Sequence, residues 1–162
     1  MPTASQARKA VRSRIESGNI TYTVSGNTLA VPLRWQNENA DSQSNAPLPD
    51  VPAPFIFTEV LTERSRIVAF GGGVGANLHR NPLVVNAFVF VPRGWGLDTA
   101  EAIAEQVGNL LRSYRDGVVS FFEATVYQGG DGADIKPAGL ESEVGNYFWA
   151  GCEAFGHYDR IG

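Results

Sequence analysis

Apolar positions recur along this chain with two periods, and the period changes from segment to segment. Ala4, Ala7, Val11 and Ile15 fall three and four apart, with Arg8, Lys9, Arg12 and Arg14 between them. That spacing predicts a short amphipathic helix, which Gly18 should end. A second helix is predicted where Ala100, Ile103, Ala104, Val107, Leu111 and Tyr114 form one apolar stripe. Asp98 and Glu101 have the spacing of a capping box and would mark its start. Its stripe should be covered by sheet, and its other face, with Glu101, Glu105, Asn109 and Arg112, left to solvent or a partner.

The segments 29–35, 54–61, 66–70, 83–91, 118–127 and 147–155 are rich in β-branched and aromatic residues and are bounded by Gly, Pro and Asn clusters, so strands are predicted there. A further short strand is predicted over 20–24. Along 118–127 a period of two puts Val118, Phe122, Ala124 and Val126 on one face, which should meet the second helix, and Glu123 and Thr125 on the other. Segment 83–91 is apolar on both faces: Leu83, Val85, Ala87, Val89 and Val91 back onto Val84, Phe88 and Phe90. A sheet with helices on one side only would leave one of those faces bare. Three connections, 36–53, 71–82 and 128–145, are long for a compact domain, and loops of that length usually bind something or move. With no internal repeat and no convincing boundary, residues 1–162 are expected to form one α+β domain, a mainly antiparallel sheet with two helices packed on one face.

Composition narrows function more than fold. The 162 residues include 17 acidic and 13 basic side chains, a net charge of −4, and 43% are hydrophobic, which fits one globular domain with a real core. No apolar run approaches the roughly 20 residues that cross a bilayer, and the N-terminal segment lacks the apolar stretch of a secretory signal, so a cytosolic protein is expected. One cysteine, Cys152, rules out an internal disulfide, and with only His79 and His157 beside it there is no ligand set for structural zinc. Charge is uneven. Residues 1–97 hold 9 basic and 6 acidic side chains, and residues 98–162 hold 4 and 11, a polarity that could matter in an assembly.

Candidate chemistry is sparse. Glycines 71, 72, 73 and 75 follow a predicted strand, where a phosphate-binding turn would sit, but no Lys followed by Ser or Thr comes next, and Asn81 before Pro82 argues against a helix there. A hairpin tip is the expectation. The GGDGAD stretch, 129–134, resembles a single copy of a glycine-aspartate calcium turn, a motif that shares ions between stacked copies, so a surface turn is expected instead. Cys152 and His157 lie five apart on or just past a predicted strand, which puts them on opposite faces and separates nucleophile from base. Cys152, in register with Phe148, Ala150 and Ala154, is expected to be a buried filler. Glu141 and Glu143 fall in a polar loop, and no serine occupies a Gly-x-Ser-x-Gly elbow. These observations disfavour an enzyme, and no metal or cofactor is expected. Sequence-specific nucleic-acid binding is disfavoured too, because the first helix is the main basic element of an acidic chain.

One run is left over: NPLVVNAFVFVPRGWGLDTAEAIAEQVGNLLR, residues 81–112, in which a two-faced apolar strand leads through Val91, Pro92, Arg93, Gly94, Trp95 and Gly96 into the best-signalled helix. This run resembles the tail terminator-like minor tail proteins of long-tailed bacteriophages and gene transfer agents. Upstream, Trp35 and Asn37, a proline-rich loop and PFIFTEVL (54–61) are similar to the same family's pattern, and the order of the remaining elements fits. The polar insert 39–45 and the long loop 128–145 depart from it. The resemblance implies a structural virion subunit rather than an enzyme. Six copies would form a homo-oligomeric ring on the end of the tail tube, stopping addition of tube protein and offering a docking surface to the head-tail connector, with DNA passing through its channel without specific binding; six net charges of −4 would be compatible with such a passage. It implies assembly in the host cytoplasm and residence at the head-proximal end of the tail. Candidate interface residues are Phe88, Phe90, Trp95, Trp149, Gly72 and Arg80, and the same aromatics would serve equally as core. Two alternatives remain: another connector or tail-completion component, and a small-ligand or nucleotide-binding domain using the 71–75 loop.

Overall fold

The computed structural model describes residues 1–36, 38, 51–71, 73, 75–132 and 145–162. The expectations for Gly72, Asn37, Glu141, Glu143, the insert 39–45 and most of the 128–145 loop lie outside the described residues.

Helix α1 (Ala4–Glu16) forms where the periodicity places it and buries Ala7, Val11 and Ile15. Its start carries a reciprocal capping box: the Gln6 amide donates to Thr3 Oγ1 at 3.2 Å, and the Thr3 amide donates to Gln6 Oε1 at 2.8 Å. Helix α2 (Leu97–Leu111) buries Ala100, Ile103, Ala104, Val107 and Leu111, while Tyr114 lies beyond its end. The capping box predicted at Asp98 and Glu101 does not form. The N-cap is Gly96, with φ of 84° and no side-chain cap bond. The turn into α2 needs positive φ at both Gly94 and Gly96, a conformation that glycine takes without steric cost. Asp98 falls inside the first turn, where its carboxylate meets the positive end of the helix dipole.

The described strands are β1 (Thr21–Val24), β2 (Asn27–Ala30), β3 (Leu33–Trp35), β4 (Phe55–Thr62), β5 (Arg66–Ala69), β6 (Leu78–Pro92), β7 (Ser120–Asp131) and β8 (Tyr147–Ile161). β1 and β2 make a separate hairpin across Ser25 and Gly26, both at positive φ. The others form one six-stranded sheet in the order β3-β4-β6-β8-β7, with β5 also paired to β6. Every pairing in it is antiparallel except β3 with β4. The single strand predicted over 29–35 is two strands, because the chain changes partner midway. The Val31 amide donates to Ile20 O at 2.9 Å, whereas Pro32 O accepts from the Ile56 amide at 2.9 Å.

β6 and β8 are longer than the predicted 83–91 and 147–155, and they pair without a break from Leu78 with Ile161 to Pro92 with Tyr147. Pro82 sits inside this ladder. Its carbonyl accepts from the Glu63 amide at 3.2 Å, so its missing N–H faces the break between β4 and β5, where no ladder bond is lost.

The two helices share one face of the sheet. Ile56, Val60, Val85, Ala87, Val89, Ala150, Cys152 and Ala154 meet the buried stripes of α1 and α2 in the main core. Fully burying a side chain such as Leu111 or Ile103 stabilises by about 1.5–3 kcal/mol, so this contact is the main source of cohesion between the layers. Arg14 Nε donates to Leu110 O at 2.9 Å, and Gln106 exchanges hydrogen bonds with the backbone of Thr21 at 2.9 and 2.8 Å. These bonds tie α1 and the β1–β2 hairpin to α2.

β7 departs from the predicted alternation. A bulge between Phe121 and Glu123 shifts its register against β8, so Phe121 is buried and Phe122 stands 60% exposed, while Ala124 and Val126 meet the helix side as expected. Residues 129–131 continue β7 rather than forming the expected surface turn.

Candidate interaction surface

The face of the sheet away from the helices is organised in cross-strand rows. Phe55, Phe90 and Trp149 lie side by side on β4, β6 and β8, and Phe57, Phe88, Gly151 and Tyr127 form the next row. Toward the other end come Glu59, Asn86, Glu153 and Thr125, then Leu61, Val84, Phe155 and Glu123. The face is therefore an aromatic band at one end, a polar row with two carboxylates in the middle, and beyond it a row of three apolar residues closed by Glu123.

The aromatic band is a second small core. Phe55 and Phe90 stack at 4.8 Å between ring centres and 13° between planes, with Tyr147 edge-on to Phe55 at 5.2 Å. The buried Arg34 places its guanidinium 6.0 Å from the Phe55 ring. Phe88 and Trp149 are half-buried and meet edge to face at 5.8 Å, with Tyr127 against the other side of Trp149 at 6.0 Å. The Trp149 indole N–H is buried with no hydrogen-bond partner among the described residues. Tyr127 lies over Gly151, where an added Cβ would fall 2.2 Å from its ring. Burial of Glu59 raises its carboxyl pKa, and burial together with Glu153 raises the phenol of Tyr127.

The sequence-based candidates thus separate. Phe88, Phe90 and Trp149 come together in the aromatic band, but Phe90 is fully buried within it. Trp95 is elsewhere, in the turn before α2, tilted against Tyr22 at 5.9 Å. Arg80 is at the opposite end of β6, in a two-bond pair with Asp159 at 2.9 and 2.8 Å. Cys152 and His157 lie on opposite faces of β8, as the alternation requires: Cys152 is in the helix-side core, and His157 is beside Phe122, with ring centres 6.3 Å apart. Burial pushes the Cys152 thiol up to about 11 and lowers the pKa of His157.

One surface was reached by the sequence reading only through Arg80: its exposed apolar residues were not among the candidates. β4 and β5 run in the same direction along β6, and beyond Pro82 the sheet narrows to β5, the first residues of β6 and the last of β8. This arm ends in the connection 70–77, the position expected for a hairpin tip. All four β5 residues are exposed. Ile67 and Val68 are each 46% exposed and Phe70 is 84% exposed, with Ile161 half open beside them on the same arm. Three large apolar side chains on a solvent-facing edge were the available signal, but alternation alone does not say whether a short apolar strand is central or marginal.

A shallow cavity of about 390 Å³ lies between α1 and the sheet edge, lined by Arg8, Lys9, Arg12, Trp35 and Thr58. Arg12 is engaged there by Glu38 and by Glu16 at 2.7 Å and lies 5.2 Å from the Trp35 ring. Among the described residues no group of three or more His, Cys, Asp or Glu could hold a metal ion, and no helix is long and apolar enough to cross a membrane. Compared with models of known protein families the chain matches none, and it matches no curated protein sequence.

Proposed function

We propose that the protein is a tail terminator-like structural subunit that forms a ring, of six copies on the family pattern, on the end of a phage-type tail tube. The observation that carries this reading is the asymmetry of the sheet. Two helices cover one face, while the other carries half-buried Phe88 and Trp149, an acidic row, and an apolar row that ends at the exposed Leu61 and Phe122. A subunit that works only by fitting its neighbours needs such surfaces. The α+β architecture with both helices on one side is also the one the sequence resemblance implies.

In this reading the mechanism is steric and interfacial. One side of the ring complements the last ring of tube protein, and the other rejects a further tube ring and accepts the head-tail connector. A subunit with a net charge of −4 would ring the passage with negative charge, so DNA would slide through without being held. The test is to add purified protein to polymerising tube protein, recording assembly mass by light scattering and tube length by negative-stain microscopy. Ring-sized assemblies seated on shortened tubes are expected. A protein that stays monomeric and leaves tube length unchanged refutes the proposal.

A further inference from the structure

We infer that copies of this chain join head to tail, the β5 arm of one copy packing on the open apolar row of the next. The inference rests on the ring reading above and names the surfaces that would build the ring. The donor is the arm. β5 is a sheet edge whose four residues are all exposed, and it presents Ile67, Val68 and, just past its end, Phe70 to solvent. An exposed apolar edge strand is a site for pairing with another chain, and proteins that do not use such an edge normally blunt it.

The acceptor is the row made by Leu61, Val84 and Phe155, extended by Phe122 at the bulge in β7. Leu61 and Phe122 are 43% and 60% exposed, so the row offers apolar surface where the aromatic band is already closed by its own stacking.

Charge selects this pairing over the alternatives. Arg64 and Arg66 immediately precede the apolar residues of the arm, while Glu123 stands at the end of the acceptor row and Glu59 and Glu153 lie in the row beside it. Arg80, also on the arm, is already held by Asp159, so Arg64 and Arg66, with the exposed Arg160 at the end of β8, are the cations to be matched. Arm against arm would set arginine against arginine, and row against row would set glutamate against glutamate. Arm against row pairs opposite charges and apolar with apolar surface. Donor and acceptor are different surfaces of one chain, so the contact is heterologous, and a heterologous contact closes into a ring when its rotation divides a full turn.

Two measurements test this. Assembly mass is followed by light scattering for Arg66→Glu, for Glu123→Arg and for the two combined in one chain. Each single reversal should weaken assembly by about tenfold or more, because like charges are then juxtaposed, and the combination should recover most of the loss. Both sites are exposed, so the monomer fold should tolerate them, checked by circular dichroism. Separately, a chain carrying Ile67→Cys is mixed with a differently tagged chain carrying Phe122→Cys under mild oxidation. A disulfide joining the two tags is expected, with the buried Cys152 left reduced. Rings that form and cap tubes although the charge reversals have no effect overturn the arm contact and leave the ring reading standing. Cross-links formed within the Ile67→Cys chain alone mean an arm-to-arm dimer and also overturn it. A wild-type protein that is monomeric and does not cap tubes overturns both.

Discussion

Replacing Phe90 by alanine separates the two roles that the open face of the sheet could have. Phe90 is fully buried, stacked on Phe55 and edge-on to Tyr147 at 6.4 Å, so truncation leaves a void bounded by two rings held in their own strands. Phe-to-Ala changes at such sites cost about 3–5 kcal/mol, and the lost aromatic contacts place this one in the upper part of that range. Against a total stability of about 5–15 kcal/mol, that is a large fraction. For a domain of this size it corresponds to a fall of about 6–20 °C in melting temperature. Phe88, one position from the same stack on the same face but half-buried, should lose only about 1–2 kcal/mol, because part of its surface is already wet. The assay is urea unfolding followed by far-ultraviolet circular dichroism, with the midpoint compared at unchanged slope. It is run over a series of protein concentrations, because assembly adds to apparent stability. If Phe90→Ala costs under about 1 kcal/mol, or no more than Phe88→Ala, the aromatic band is not a second core and the division of the face drawn above is wrong.

Cys152 should resist alkylation in the folded protein at neutral pH and react at once in urea, since burial holds its thiol up to about 11; rapid labelling of folded protein would contradict this placement. Gly156→Ala should destabilise by about 1–3 kcal/mol and by more than Gly151→Ala, as read by urea midpoints. A Cβ at Gly156 meets the fixed carbonyl of Ser120 at 2.6 Å, whereas one at Gly151 meets the ring end of Tyr127, which can swing away. His157, with its pKa lowered by burial, should titrate below 6.5 by NMR. Its folded form holds fewer protons than the unfolded chain, so its contribution to stability is complete above 6.5 and is lost as pH falls through its folded midpoint. The same sign holds for Asp159, lowered by its bond to Arg80, whose contribution is lost as pH falls below the ordinary carboxylate range. An arm whose stability rises on acidification would refute both.

The periodic parts of the fold were legible because burial enforced them. Ala7, Val11 and Ile15 on α1, and Ala100 through Leu111 on α2, each face a sheet that demands a 3.6-residue stripe. The two-faced character of β6 was equally visible, since Val85, Ala87 and Val89 enter one core while Phe88 and Phe90 enter the other. What alternation could not show was a change in local register. The bulge in β7 moves Phe122 out of the expected row, and the exchange of partners between Val31 and Pro32 cuts one predicted strand into two. The far ends of β6 and β8 were missed because Tyr158 is their one core residue and the rest, with Asn81, Pro82, Gly156 and the Arg80–Asp159 pair, reads as loop although the ladder is unbroken. The interface candidates read from the sequence include three residues of the aromatic band and Arg80 on the arm, but not Ile67, Val68 or Phe70. A marginal strand differs from a central one only in what lies beside it.

β8 lies between β6 and β7 in space but follows both in sequence. During synthesis the two neighbours therefore emerge before the strand that joins them, and fifteen residues of β6 have no partner on that side until β8 arrives. Non-local pairing of this kind makes folding slow and late, and the half-built sheet exposes apolar edges open to aggregation. The same order acts as a proofreading step. A chain broken before residue 147 cannot close the sheet, so it has no rigid subunit to offer to any assembly.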